Sequence, residues 1–321
     1  MNEFLIYCNT KQLFTNNRNG DEFVHDFYLS NDELKRWHVT RPQVECMPEI
    51  IKIVDSNSNK TLYRVQGVSQ IDVSLIKRRG QPLTDLHQWM LKRVCETDLP
   101  TDIETTPYWQ LFIQHRESYP DLFFTVDDFA GRVHTPVSNT HRTDRPKLLL
   151  RNEPTVSFDV AQMQPTLLGK VLQQAVGKNS YSDAINEGKD IYVMLQTTAG
   201  LATRDEAKKR FYKITFGLPN DKLALMFNGE AWINWINEYK KAREPRNPHN
   251  KEKPHSNLAW LLQNYEVQIM GEVWRLLAEN ALPFLTVHDE IICRATDAKQ
   301  VETIFNKVLS NHFATYKIGM K

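Results

Sequence analysis

The sequence predicts an α+β fold. The run Thr155–Val160 is rich in β-branched and aromatic residues, which is typical of a strand, and Leu282–Ala295 predicts two more strands meeting at residues 288–290. Between these segments the apolar residues recur at helical spacing. Strands on either side of a long helical stretch are compatible with an α+β fold.

The composition indicates a soluble globular protein of one large or two small domains. Of the 321 residues, 41% are hydrophobic and 25% are charged, which excludes disorder and a coiled coil. No stretch approaches the ~20 apolar residues of a membrane span, and the first residues lack the order of a signal peptide. We therefore expect a cytoplasmic protein with no membrane association. Its four cysteines are far apart, without metal-ligand spacing.

The charge is nearly balanced overall but uneven along the chain. Forty basic residues against 39 acidic ones give a net charge of +1, which argues against coating of nucleic acid through bulk charge. Residues 204–253 contain twelve basic and seven acidic side chains. This segment is either a local nucleic-acid-binding surface or an ordinary solvated helical surface.

Apolar spacing predicts the helices, and one of them has well-marked ends. Thr203 is a suitable N-cap, Asp205 and Glu206 would lie in the first turn, and Gly217 follows the last one. The predicted helices are Leu83–Glu96, Leu167–Val176, Thr203–Phe216, Asn257–Asn280 and Asp297–His312.

Two acidic residues stand where predicted strands meet polar segments. Asp159 is at the end of the first strand, and Asp289 is at the junction of the last two. Carboxylates on neighbouring strands can hold two hard divalent cations ~3.5 to 4 Å apart for in-line phosphoryl transfer. Taken singly, each acid is also compatible with a turn or a helix cap.

One face of the helix from Thr203 carries an unusual set of side chains. Arg204, Lys208, Tyr212 and Phe216 recur every four residues and drift only ~40° per step around the axis. The two cations near the helix N-terminus suit a polyphosphate, and the aromatic rings suit a base. The alternative is an ordinary amphipathic helix, which would place charged and aromatic residues on opposite faces.

These residues resemble the motifs of family A DNA polymerases, in the family's order. Asp159–Gln164 resembles motif A, Asp-x-Ser-Gln-x-Glu, while Arg204–Gly217 resembles motif B and Val287–Glu290 resembles motif C. Gly131-Arg132 resembles the family's Thr-Gly-Arg element, and Gly188–Tyr192 resembles its Gly-x-Asp-Ile-His stretch. The motif B spacing is the most specific of these matches.

The resemblance implies a right-hand polymerase architecture over residues 126–321. An antiparallel palm sheet would carry the two acids, and helical fingers would be inserted at about residues 165–256. Residues 1–125 would form part of the palm and a reduced or unusual thumb. The chain is too short to hold a full proofreading exonuclease beside this core.

The resemblance also implies roles for individual residues. Asp159, Asp289 and the backbone carbonyl of Val160 would hold two Mg²⁺ ions, with Mn²⁺ as a substitute, supported by Glu290. Lys208 would act as the general acid. The implied nucleotide-binding residues are Arg204, Lys208, Tyr212, Gln162 and Gln164, and the implied primer–template contacts are Arg132, Phe216, Gln263 and His288. The expected partners are primer–template DNA, dNTPs and an accessory replication protein.

Three departures from the family pattern leave alternatives open. Gln164 stands where the family has a glutamate that blocks the ribose 2′-hydroxyl, Phe216 replaces a tyrosine, and Ala259 replaces an asparagine. A neutral amide can still bond a hydroxyl. The alternatives are an enzyme of the same fold that makes RNA, primers or untemplated tails from rNTPs, and a non-catalytic nucleic-acid-binding replication module.

Overall fold

The computed structural model confirms the predicted α+β class, with helices and an antiparallel sheet. The chain divides into two compact units: residues 1–78 with 104–123, and residues 79–103 with 124–321. The structure describes residues 26–27, 50–55, 60–65, 80–99, 107–219, 227, 229–242, 244–249 and 253–321.

The elements of the described ranges are numbered here in chain order. The strands are β1 (Asp26–Phe27), β2 (Ile50–Asp55), β3 (Lys60–Val65), β4 (Thr97–Asp98), β5 (Thr125–Val126), β6 (Val133–His134), β7 (Leu149–Leu150), β8 (Glu153–Val160), β9 (Phe284–Val287), β10 (Glu290–Arg294) and β11 (Ile318–Met320). The helices are α1 (Asp85–Cys95), α2 (Pro107–His115), α3 (Pro136–Asn139), α4 (Met163–Val176), α5 (Ser180–Asn186), α6 (Ile191–Thr198), α7 (Arg204–Phe216), α8 (Ala231–Lys241), α9 (Asn257–Glu279) and α10 (Ala298–His312). None of these helices is both long enough and apolar enough to cross a membrane.

The first unit contains a small antiparallel sheet and helix α2. Strand β3 lies between β1 and β2. On α2, the buried Phe112 ring meets Trp109 and Phe123 edge to face, at centroid distances of 5.2 and 5.3 Å. Much of the predicted N-terminal region, residues 1–125, lies outside the described residues. All the site residues predicted from the sequence belong to the second unit.

The main sheet of the second unit is antiparallel throughout, in the order β4-β7-β8-β10-β9. Strand β8 pairs with β10 along one edge, while its other edge pairs with β7 at the start and with β11 at the end. Strands β9 and β10 are fully or almost fully buried and form a hairpin. Helix α1 packs on this hairpin through Trp89, whose ring is 5.4 Å from that of Phe284.

Helices α4 to α9 are inserted between β8 and β9. The longest, α9, packs against α4, α7, α8 and α10. Helix α7 has the predicted ends, because Thr203 Oγ1 accepts the amide of Glu206 at 3.1 Å and Gly217 is the C-cap. The predicted strand at Thr155–Val160 and the predicted helix at Asn257–Asn280 are also confirmed, with small shifts of their ends.

A buried lysine side chain caps the C-terminal end of α7. Lys240 on α8 is only 1% exposed, and its ammonium donates to the carbonyls of Ile214 and, at 2.9 Å, Gly217. Burial lowers the pKa of Lys240 to about 8. Because the last carbonyls of a helix have no partner within the helix, this lysine satisfies groups that α7 would otherwise leave open.

Candidate active site

The register of the main sheet brings the two predicted acids together. Asp159 on β8 is directly opposite Glu290 on β10, and Asp289 immediately precedes Glu290. Asp289 lies in the two-residue turn between β9 and β10, at the junction predicted from the sequence. The preceding residue, His288, has a left-handed backbone with φ 58°. The turn therefore places the carboxylate of Asp289 beside the end of β8.

The carbonyl of Val160 faces the same edge. Backbone amides of Ser157 and Ala161 donate to carbonyls on the β11 side, those of Lys321 and Lys317. Backbone groups alternate sides along an antiparallel strand, so the carbonyl of Val160 points to the β10 side. In the paired register, the position next to Glu290 on that side is Asp289.

Negative charge accumulates around Asp289. Burial raises the pKa of Asp289 well above its usual range, and the carboxylates of Glu266 and Asp159 raise it further. A carboxylate near two others gains from a cation that neutralises them together. The position of Asp289 is therefore one where positive charge is stabilising.

Glu266 on α9 is a buried member of this group that the sequence did not single out. Its carboxylate is 2% exposed, and it accepts from Arg132 Nη2 at 2.6 Å and from Gln164 Nε2. Burial raises the pKa of Glu266, while Arg132 opposes that shift. The available signal was an acidic residue on a mostly apolar helix, one turn after Gln263. Because residues three apart share a helix face, Gln263 lies on the same face of α9 as Glu266.

Two further cations form ion pairs with Asp159 and with its strand partner Glu290. Lys321 Nζ is 2.9 Å from Asp159 Oδ2, and Arg145 Nη1 is 2.7 Å from Glu290 Oε2. Neither cation was predicted, because each comes from a segment distant in sequence from its partner. Glu290 is therefore occupied by Arg145, and it lies beside Asp159 and Asp289.

His288 is half-buried and neutral at physiological pH. Burial lowers its pKa to about 4, and the charges of Arg132, His134 and Arg145 add to this effect. Its ring is 6.1 Å from that of His134 in an edge-to-face arrangement. A neutral imidazole can offer one donor and one acceptor but no positive charge.

Helix α7 presents the predicted stripe to solvent. Arg204, Lys208 and Tyr212 are exposed and Phe216 is half-buried. The rings of Tyr212 and Phe216 stack, with centroids 5.6 Å apart and planes 26° apart. The buried face of the same helix is formed by Ala207, Phe211, Ile214 and Thr215. The charged and aromatic residues therefore share the solvent-facing side of the helix.

A chain of polar contacts joins the end of β8 to this stripe. Gln162, with φ 60°, follows β8 and accepts the amide of Ile191 at 2.9 Å. Asp190 caps α6 by accepting the amide of Tyr192, and its other oxygen is 2.8 Å from Arg204 Nη2. The guanidinium of Arg204 also lies over the ring of Tyr192, 4.9 Å from its centroid. The sequence predicts that Gln162 binds a nucleotide. In the structure its side-chain oxygen instead accepts a hydrogen bond from the backbone of α6.

The available oxygen donors fit a hard divalent cation. Within the described ranges, no cluster of three or more His, Cys, Asp or Glu side chains is arranged to hold a metal. The two carboxylates of Asp159 and Asp289 and the carbonyl of Val160 are nevertheless the ligand types that Mg²⁺ prefers. Burial, and then the neighbouring carboxylates of Glu266 and Asp159, raise the pKa of Asp289, and a bound cation would oppose this shift.

Comparisons with known proteins do not assign the chain to a family. No protein-family model and no curated protein matches it.

Proposed function

We propose that this protein is a template-directed DNA polymerase that extends a primer 3′-hydroxyl with dNTPs. The supporting observation is the sheet register that places Asp159 beside Glu290 and Asp289, next to the carbonyl of Val160. In this proposal the main sheet is the palm of a right-hand architecture. The helices within residues 165–256 are its fingers.

Residues at the sheet edge would serve the reacting end of the primer. Asp159, Asp289 and the carbonyl of Val160 would hold Mg²⁺, or Mn²⁺ in its place. Bound divalent ions would supply activation of the primer hydroxyl and neutralisation of the pyrophosphate. Glu290 forms an ion pair with Arg145 at 2.7 Å. The positive charge of Arg145 therefore offsets the negative charge that Glu290 adds beside the proposed metal ligands.

Residues of the α7 stripe would bind the incoming nucleotide. Arg204 and Lys208 would contact the triphosphate, since both are exposed near the helix N-terminus, where the helix dipole also favours anions. Lys208 would donate a proton to the departing pyrophosphate. Tyr212, 39% exposed and stacked on Phe216, offers a ring for the base.

The remaining predicted residues would contact the primer–template. His288 and Arg132 border the acid pair, and Gln263 lies one turn from Glu266. Because the net charge is only +1, binding would depend on local cations and fall steeply with added salt. An accessory replication protein would be a further partner.

Primer extension by charge-neutral variants tests the proposal. On a defined DNA template with Mg²⁺ and dNTPs, Asp159→Asn and Asp289→Asn should each lower the rate by about 10²- to 10³-fold or more. Asp183→Asn on α5 is the matched control and should retain activity. Circular dichroism and thermal unfolding establish that the variants fold. Full extension by either folded site variant would overturn the assignment.

The wild-type protein itself separates the competing functions. Templated addition of dNTPs supports a DNA polymerase, and growth of tails without a template indicates the alternative enzyme of the same fold. Binding of primer–template without addition of any nucleotide, in both Mg²⁺ and Mn²⁺, indicates a non-catalytic module.

A further inference from the structure

The β5–β6 hairpin carries an aspartate–histidine pair that has no role in the proposed function as described so far. Asp127 Oδ2 is 3.0 Å from His134 Nε2. The other carboxylate oxygen, Oδ1, accepts the backbone amides of Ala130 at 2.7 Å and Gly131 at 3.1 Å. Burial acts to raise the pKa of Asp127, but the hydrogen bonds from His134 and the two amides outweigh it and lower the pKa. Asp127 is therefore an ionised carboxylate with a fixed orientation.

Asp127 determines which nitrogen of the His134 ring carries a hydrogen. An ionised carboxylate can only accept, so Nε2 is the nitrogen that donates, and in the neutral ring Nδ1 is left as the acceptor. The His134 side chain is 44% exposed, so a substrate or a water molecule can reach it. An imidazole that is oriented by an aspartate and has a bare second nitrogen is the arrangement of a general base.

The hairpin places this imidazole beside the acid pair. Its ring is 6.1 Å from that of His288, which immediately precedes Asp289. Arg132 and His134 are two residues apart in an extended segment, so their side chains face the same side. On that side Arg132 reaches Glu266, an electrostatic neighbour of Asp289. His134 is therefore directed toward the end of the sheet that carries the proposed metal ligands.

Few charged groups surround the His134 ring. Strands β5 and β9 and helix α3 pack against β6, and their sequences contain no charged side chain. The charged and titratable groups at this place are Asp127, the direct partner of His134, then His288, and Arg132 and Arg145, which act on His288 together with His134. Asp127 is the one acid among them, so the protonated form of His134 would gain its stabilisation from that carboxylate.

The proposed nucleotidyl transfer requires a proton acceptor. The primer hydroxyl loses its proton when its oxygen attacks phosphorus, and no residue assigned a role above takes that proton. Asp159 is paired with Lys321, and Glu290 is paired with Arg145. His288 is a weak base, because burial lowers its pKa to about 4. The exposed imidazole of the β5–β6 hairpin is better suited to accept the proton.

We propose that His134, held by Asp127, is the general base that accepts the proton of the primer 3′-hydroxyl, directly or through one water molecule. The O–H bond breaks, the oxygen forms the new bond to the α-phosphorus, and pyrophosphate leaves with the electron pair of the cleaved P–O bond. The proton passes to Nδ1 of His134 and is later released to water. This inference rests on the proposed polymerase function and adds its proton acceptor, with Asp127 as a positioning residue.

Single-turnover primer extension as a function of pH tests the role of His134. The wild-type rate should rise with pH as the imidazole loses its proton. His134→Gln should lower the rate about 10²- to 10³-fold and abolish this rise. Added imidazole should restore part of the rate of His134→Ala, which a merely structural loss would not allow. His141→Gln is the matched control, because His141 is exposed and bonded to the nearby Thr143; it should retain the rate and its pH dependence.

Nitrogen-15 NMR of the full chain gives a readout that does not depend on turnover. In the wild type His134 should carry its hydrogen on Nε2, and Asp127→Asn should weaken this preference. A hydrogen on Nδ1 in the neutral wild-type ring overturns the inference. Full extension by folded His134→Gln, with an unchanged pH profile, overturns this inference alone and leaves the polymerase proposal standing. Failure of the folded wild type to extend any primer overturns both.

Discussion

The ammonium of Lys321 donates to Asp159 Oδ2 across 2.9 Å. Strand β11 makes this contact possible, because Gly319 lies opposite Asp159 and the backbone of Lys321 pairs with Ser157. The hydrogen bond raises the pKa of Lys321, so its positive charge is retained. A lysine therefore pairs with one of the two carboxylates that would hold Mg²⁺ in the proposed function.

Removing this ammonium should tighten metal binding. We expect Lys321→Gln to lower the dissociation constant for Mn²⁺ by about two- to fivefold, since a half-exposed ion pair contributes up to about 1 kcal/mol. Calorimetric titration with Mn²⁺ measures the change without turnover. Lys317→Gln removes an equal charge just before β11 and is the matched control. Unchanged or weaker affinity in Lys321→Gln would show that the lysine does not compete with the metal.

The buried lysine behind α7 should make stability depend on alkaline pH. The pKa of Lys240 is lowered from 10.5 to about 8 in the folded chain, so between these values the unfolded chain binds more protons. The free energy of unfolding therefore rises with pH across this window, by up to about 3 kcal/mol. Below pH 8 both states are protonated and this term is constant.

Comparison with a variant that does not titrate isolates this effect. Urea unfolding of wild type and Lys240→Met at pH 7.5 and pH 10 should show the wild type gaining stability relative to the variant at the higher pH. Lys241→Met, at the exposed neighbouring position, is the control. A stability difference that does not change with pH would contradict the buried-lysine account.

Arg204 should matter for nucleotide affinity more than for the rate at saturation. Its guanidinium is held at the N-terminus of α7 by Asp190 and Tyr192. We expect Arg204→Ala to raise KM for dNTPs about 10- to 100-fold through loss of charge-assisted hydrogen bonds. Lys209→Ala, on the same helix but off the stripe, should leave KM nearly unchanged. Steady-state kinetics of primer extension measures both, and equal effects of the two variants would remove the role assigned to the stripe.

The ring of Tyr212, not its hydroxyl, should carry the contact with the base. Tyr212→Phe keeps the stacking on Phe216 and should retain affinity for dNTPs. Tyr212→Ala removes the ring and should raise KM by about tenfold, within the range measured for stacking of one base. If the phenylalanine variant loses as much affinity as the alanine variant, the hydroxyl is the important group.

The sequence predicted elements whose signals are local. Helix α7 was predicted from Thr203, its first-turn acids and Gly217, all within one short segment. The β9–β10 hairpin was predicted from apolar runs on either side of Asp289. Periodicity and capping describe near neighbours, so such elements are readable without the fold.

Contacts between segments far apart in the chain could not be predicted from the sequence. Strand β11 has no strong pattern of its own, and its pairing with β8 is what brings Lys321 to Asp159. In the sequence Glu266 is one acidic residue on a long, mostly apolar helix. Its hydrogen bonds from Arg132 and Gln164 are visible only in the folded structure. Side-chain partners of this kind depend on tertiary packing, which no local spacing encodes.

Two residues near the two acids have left-handed backbones that lower the stability of this protein. His288 immediately precedes Asp289, and Gln162 follows Asp159 by three residues; their φ angles are 58° and 60°. A non-glycine residue in this region costs about 1 to 2 kcal/mol. Directed evolution for heat resistance alone should therefore collect glycine at position 288. The heat-resistant survivors would lose the imidazole beside Asp289, whereas at position 162 glycine would also lose the hydrogen bond from Ile191, which offsets the gain.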